Sequence, residues 1–241
     1  VEREGLEWTE VTKEQQEQFA SESVDESIVD YSNTVIYSSA RNAYIVPRMK
    51  RMMNRTVWAM TKQLRKGSFK PEGYEVSFGN GKIDRIDTCE TEDQVYVKIL
   101  DYKTGAKSFD MAAFYHGLQM QLVVYMEEAV RLEERKHPGK KIVPAGIFYY
   151  RMKDPIVGKE LDEEKLEEAI LKELRLDGII RQEDAVIQRL DADFSGNSLV
   201  IPAGKTKSGY SKASKMLLPE EFDAVLTYCL LYTSDAADDK A

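Results

Sequence analysis

Along residues 95–103 the side chains alternate, so that Val95, Val97, Ile99, Asp101 and Lys103 project from one face of an extended segment. That apolar face ends in an acid and an amine. Upstream, Gly73 to Asp87 reads as one or two strands broken by Gly79-Asn80-Gly81, a composition suited to a tight hairpin turn. A polar stretch from Thr88 to Gln94 separates it from the next strand. The midpoint between Asp84 and Asp101 falls between Glu92 and Asp93, inside that stretch, so a hairpin would bring the two carboxylates together.

Elsewhere the period changes to that of a helix. Over Asp110 to Glu134, Leu118, Leu122, Met126 and Ala129 share one face, while Gln121 and Tyr125, four apart, share a neighbouring one. Met49, Met53, Val57, Met60 and Leu64 form another apolar stripe, with Arg48, Arg51, Arg55, Lys62 and Lys66 on a different face. Lys141 to Met152 is a β-rich run, Leu161 to Leu176 an acidic amphipathic helix, and Glu220 to Leu231 the start of a last helix. The Gly/Ser-rich stretch Ser195–Ser214 reads as a mobile hairpin or loop, where Lys205, Lys207, Lys212 and Lys215 touch nucleic acid or keep the loop soluble.

At 241 residues and 42% hydrophobic, the chain can bury a sizeable core and fits one domain, with or without a small appendage. No segment is apolar enough to span a membrane, and no secretory signal is present. Cys89, expected in a loop, and Cys229 give no disulfide framework, which fits a cytoplasmic protein. His116 and His137 lack ligand spacing, and His137 before Pro138-Gly139 is a turn residue. A net charge of −8 argues against a general nucleic-acid binder, yet residues 41–70 contain nine basic residues and no acid. Such a face is either solvated or suited to a phosphate backbone.

Burying Asp101 beside aliphatic residues requires compensation, either from a salt bridge or from a metal. Two aspartates, with waters and phosphate completing the shell, suit Mg²⁺ better than zinc. Lys103 could then position an attacking water or offset charge on a phosphoryl group. An Asp-x-Lys alone is equally an ion pair at a strand end, and Gln121 with Tyr125 an incidental pair on a core-flanking helix.

Gly81-Lys82-Ile83-Asp84, Asp101-Tyr102-Lys103 and Gln121-x-x-x-Tyr125, in this order, resemble the RecB-like branch of the PD-(D/E)xK nucleases. More narrowly, residues 5–228 resemble the C-terminal nuclease domain of the B subunit of AddAB-type ATP-dependent helicase–nucleases. The resemblance implies an α/β fold, a restriction-endonuclease-like core whose mixed central β-sheet is flanked by helices. It implies Asp84 and Asp101 as metal ligands, Lys103 as the catalytic amine, and Gln121 and Tyr125 as supports for the site or DNA. It also implies a Mg²⁺-dependent DNA exonuclease acting on one unwound strand during break processing, and a heterodimer with a helicase–nuclease A subunit. Arg48, Arg51, Arg55, Lys62 and Lys66 would hold DNA.

Departures from the family pattern shape the domain reading. A metal-ligating His is expected upstream of Val1, and four cysteines for a 4Fe-4S cluster are expected outside the chain. Residues 1–228 are read as a nuclease domain truncated at both ends, weakly active or inactive alone, and 229–241 as a non-native tail. A stand-alone Cas4-like nuclease, or a non-catalytic DNA-holding or subunit-docking module, are the alternative readings.

Overall fold

The computed structural model describes residues 1, 4–30, 40–79, 81–105, 107–157 and 162–238, apart from the side chains of 30, 40–43 and 229–238. The chain divides into two units, 1–65 with 152–174, and 66–151 with 175–241.

The first unit is helical. Helix α1 (Lys13–Asp30) buries Val24 and Ile28 against Val46 of α2 (Ala40–Arg65), with Met49 and Met53 packed beside them. The expected stripe continues, because Val57, Met60 and Leu64 are buried too. Asp162 caps α5 (Glu163–Glu173) by accepting from the Lys165 amide at 2.9 Å. At its other end the Leu174 carbonyl accepts from Gln63 Nε2 at 2.9 Å. Leu161, the expected first residue of this helix, lies outside the described residues.

The second unit is built on a six-stranded sheet of order β1-β2-β3-β4-β5-β8. Strands β1 (Lys70–Phe78), β2 (Gly81–Glu90) and β3 (Gln94–Lys103) form an antiparallel meander. Gly79, with φ +44°, supplies the left-handed backbone of the first turn. The expected hairpin between β2 and β3 forms with a shorter connection than its polarity suggested. Thr88–Glu90 remain in β2, where Cys89 is buried rather than in a loop, because Glu90 still pairs with Val95.

From β3 the chain crosses over through α3 (Met111–Tyr115) and α4 (Gln121–Lys136) to β4 (Lys141–Arg151), which pairs parallel with β3. The single helix expected over 110–134 is therefore two. Gly117, at φ +70°, interrupts it, and the turn leaves Leu118 75% exposed instead of on the core face. Asp110 caps α3 by accepting from the Ala113 amide. Beyond the turn the stripe is correct: Leu122, Met126 and Ala129 are fully buried with Val95, Val97, Ile99 and Ile147.

Strand β5 (Asp177–Arg181) pairs antiparallel with β4, and α6 (Asp184–Leu190) follows. The Gly/Ser-rich region holds a two-residue hairpin, β6 (Lys205–Thr206) with β7 (Gly209–Tyr210). Strand β8 (Met216–Leu217) pairs parallel with β5, and α7 (Pro219–Asp238) adds Phe222 and Val225 to the core under the sheet. The backbone of α7 stays helical past Leu231, through the segment read as a tail. No helix among the described residues is long and apolar enough to cross a membrane.

Candidate active site

The β2–β3 hairpin decides the position of the two carboxylates. Arg85 pairs with Leu100, so Asp84 and Asp101 are next in step at the open end. Asp84 Oδ2 accepts from the Tyr102 amide at 2.8 Å, tying the two strands together there. Asp101 is only 2% exposed, one strand repeat beyond the buried Ile99. Lys103, a further repeat along, returns its ammonium to Asp101 Oδ2.

Helix α4 completes the arrangement. Lys103 Nζ donates to Gln121 Oε1 at 3.4 Å, and Gln121 Nε2 donates to Tyr125 Oη at 2.7 Å. The Tyr125 ring meets Phe78 edge-on at 5.7 Å. Asp101, Lys103, Gln121 and Tyr125 thus form one continuous chain of contacts, with Asp84 held alongside by the backbone of Tyr102.

The electrostatics of this chain are unbalanced. Burial pushes the Asp101 carboxyl above the usual range, Lys103 and Lys107 oppose that, and Asp84 adds to it. Asp101 Oδ2 is enclosed and, its ion contact with Lys103 apart, makes no hydrogen bond among the described residues. A cation between two hard oxygen donors would relieve both the burial and the like-charge repulsion. Asp84 and Asp101 therefore fit a divalent metal, and no cluster of three or more His, Cys, Asp or Glu side chains with metal-site geometry occurs among the described residues.

Two further residues stand around the site, and the sequence pattern gave neither of them a place there. Tyr149 lies beside Asp101 in the β3–β4 register and is fully buried. The ammonium groups of Lys103 and Lys107 each stand 5.3 Å from its ring centroid. Burial, then Asp101, Asp177 and Tyr125, push its phenol up to about 12. Lys215, expected in a mobile loop, is instead fixed: its ammonium lies 2.6 Å from Asp177 Oδ1 and donates to the Phe109 carbonyl at 2.9 Å. Parallel pairing brought Tyr149 into place, and strand periodicity in one sequence carries no information about that.

On the other face of the same hairpin lies a second charged group. Arg85 grips Asp87 with two hydrogen bonds, at 2.5 and 2.7 Å, and Lys98 Nζ stands 3.2 Å from Asp87 Oδ2. All three are buried. Burial alone would push the Asp87 carboxyl up, but the adjoining cations overcome it and hold it below the usual range.

The basic helix face is only partly as expected. Arg48 is exposed on α2, but Lys66 lies beyond its end at Arg65. Arg51 and Arg55 reach Asp154 at 3.5 and 4.0 Å, and Lys62 reaches Glu167 at 2.5 Å. Arg51, Arg55 and Trp58 line a cleft of ≈ 360 Å³ that Lys13, Glu17, Asp154, Glu163 and Glu167 also line. Its cations are matched by acids, so the cleft as a whole does not select an anion.

A model of the PD-(D/E)XK nuclease superfamily matches residues 4–233, which contain the whole sheet and every side chain of the site. The chain belongs to that superfamily. Within it, a protein of Alkaliphilus metalliredigens, named as the B subunit of an ATP-dependent helicase/deoxyribonuclease, is 35% identical across 93% of this chain and 22% of its own length. Proteins of the same name from Lachnoclostridium phytofermentans (35% identical, 92% of this chain, 21% of theirs) and Clostridium acetobutylicum (34%, 95% and 22%) are similarly related. The chain thus spans about a fifth of the length of these relatives. For a PD-(D/E)XK nuclease, the mixed sheet flanked by helices is the fold that the sequence resemblance implied.

Proposed function

We propose that this chain is the nuclease domain of the B subunit of an ATP-dependent helicase/deoxyribonuclease, hydrolysing phosphodiesters of one DNA strand as a motor unwinds it. The observation that carries this reading is Asp84 and Asp101 in step across a hairpin, with Lys103 bonded to the buried acid and reached by Gln121. In the closed charge group on the opposite face, the cations outnumber the acid; here the buried acid has one close ammonium among the described residues and a second acid beside it.

Asp84 and Asp101 would hold Mg²⁺, which when bound polarises a phosphoryl oxygen and acidifies a water. Lys103 Nζ then donates a hydrogen bond to the attacking water or to the phosphoryl group, offsetting charge that grows as the bond breaks. Gln121 Oε1 keeps that ammonium directed into the site, and Tyr125 Oη fixes the Gln121 amide in turn. Arg48, an exposed helix cation with no acid contact among the described residues, is the best-placed of the basic set on α2 to hold DNA. The relatives' name supports a partner A subunit, and the same reading extends to break processing in the cytoplasm and to an iron–sulfur cluster held by residues outside this chain.

The test uses the complete helicase–nuclease complex with linear duplex DNA, ATP and Mg²⁺. Lys103→Ala or Asp101→Ala should slow degradation of one strand by about 10²–10³-fold while unwinding continues. Undiminished degradation of both strands would sink the assignment.

A further inference from the structure

Strand register sets three side chains in a row across the sheet: Asp101 beside Tyr149 on β4, and Tyr149 beside Asp177 on β5. The row ends in a clamp on the segment that follows the catalytic strand. Asp177 Oδ2 accepts from the Phe109 amide at 2.9 Å, while Lys215 holds the Phe109 carbonyl and Asp177 together. The Phe109 ring is buried against Phe114 and Tyr149. On either side of it, the Ser108 carbonyl and the Asp110 amide are both bonded to the Gln119 side chain.

Residues 108–110 are therefore held through the Ser108 and Phe109 carbonyls and the Phe109 and Asp110 amides. Lys107 leaves this anchored stretch directly above the Tyr149 ring, which it shares with Lys103. The two lysines differ in what they face. Lys103 is bonded to Asp101 and Gln121, whereas Lys107 is exposed and has no acidic partner within ion-pair distance among the described residues. Its ammonium stands over the ring of Tyr149, the neighbour of Asp101 in the sheet, and so lies at the edge of the site.

We propose that Lys107 is a substrate-holding residue, whose ammonium binds a non-bridging phosphate oxygen of the DNA strand beside the bond that Asp84, Asp101 and Lys103 act on. The inference rests on the nuclease reading above. Two carboxylates repel a phosphate backbone, and a nearby cation not locked in an ion pair is what draws the strand in. Lys107 supplies it from the segment that directly follows the catalytic amine.

The complete complex, given a short labelled single-stranded DNA and Mg²⁺ without ATP, reports on this contact without the motor feeding the strand. Lys107→Ala should raise KM on the order of tenfold with kcat changed by less than about twofold, and flatten the salt dependence of KM by about one unit of slope. Lys107→Arg should restore most of the loss. Lys141→Ala, at the far end of β4, removes the same charge and should change neither quantity. An unchanged KM and salt slope in Lys107→Ala, a loss confined to kcat, or an equal effect from Lys141→Ala would overturn the assignment. Asp101→Ala run in parallel separates the two ideas. If its cleavage products and rate match the wild type, the nuclease site itself is wrong and the Lys107 role falls with it; if the cleavage falls to a residual level that Lys107→Ala no longer alters when combined with it, the Lys107 result stands alone.

Discussion

The two faces of the β2–β3 hairpin carry charged groups of similar composition and opposite logic. On one face Arg85, Asp87 and Lys98 are buried and bonded to one another, with the carboxylate held between two cations. On the other, Asp101 is as deeply buried but among the described residues has only Lys103 within ion-pair distance, with a second acid beside it. The first group has satisfied itself internally and holds the sheet. The second keeps a carboxylate in a state that folding disfavours, which is the condition the proposed metal site requires.

Breaking each group should therefore have contrasting outcomes. The largest effect is on chemistry: Asp101→Asn or Lys103→Ala should reduce strand degradation by about 10²–10³-fold, measured with the complete complex. Asp101→Asn should not lower stability, whereas Lys103→Ala should cost some, because it leaves the buried Asp101 carboxyl without its close cation.

Asp87→Ala should do the reverse, destabilising the fold by about 3–5 kcal/mol in chemical denaturation because it leaves two buried cations without their anion. The pH dependence has a definite sign. The folded-state Asp87 carboxyl is held below its unfolded value, so its contribution is present above the unfolded value near about 3.9 and is lost as pH falls through the folded one. Acid titration of stability should show that loss in the wild type and lack it in Asp87→Ala.

A smaller effect separates the faces most sharply. Without divalent ions, Asp101→Asn should stabilise the protein by about 0.5–2 kcal/mol, since it removes a buried charge that folding opposes. A melting temperature lower than that of the wild type would show that the ion pair with Lys103 outweighs burial.

The smallest is Tyr125→Phe, which keeps the edge-on contact with Phe78 but loses the hydroxyl that accepts from Gln121. Activity should fall by less than about tenfold, with stability within about 0.5 kcal/mol. A loss as large as that of Lys103→Ala would make Tyr125 a direct participant.

Much of the hairpin and of the candidate site's arrangement was legible because its signals are local. Alternation along 95–103, the Gly79–Gly81 turn and the symmetry of Asp84 and Asp101 about a polar connection fix the hairpin without reference to the rest of the chain. Gln121 and Tyr125 were legible for the same reason, being one helical turn apart. The errors also have local causes. Leu118 fits the periodicity of α4 but precedes its start, since Gly117 takes a left-handed conformation that a hydrophobic pattern does not register. Arg85 and Asp87 alternate along β2 and Lys98 stands opposite Asp87 on β3, yet their closed group was not legible because nothing local says that face will be covered. The cations at Arg51, Arg55 and Lys62 read as free because their partners, Asp154 and Glu167, lie some 100 residues away.

The sequence by itself determined the strand–turn–strand unit, the acids and amine at its open end, and the helix that follows with its polar pair. Each depends on contacts between residues close along the chain, where backbone geometry limits the choices. Tertiary structure decided what those residues face. Parallel pairing of β3 with β4 set Tyr149 beside Asp101, pairing of β4 with β5 brought in Asp177, and Lys215 then anchored the segment that presents Lys107. Burial on one face made a closed ion group and on the other a carboxylate short of positive charge, a distinction that exists only once distant strands have excluded water from both.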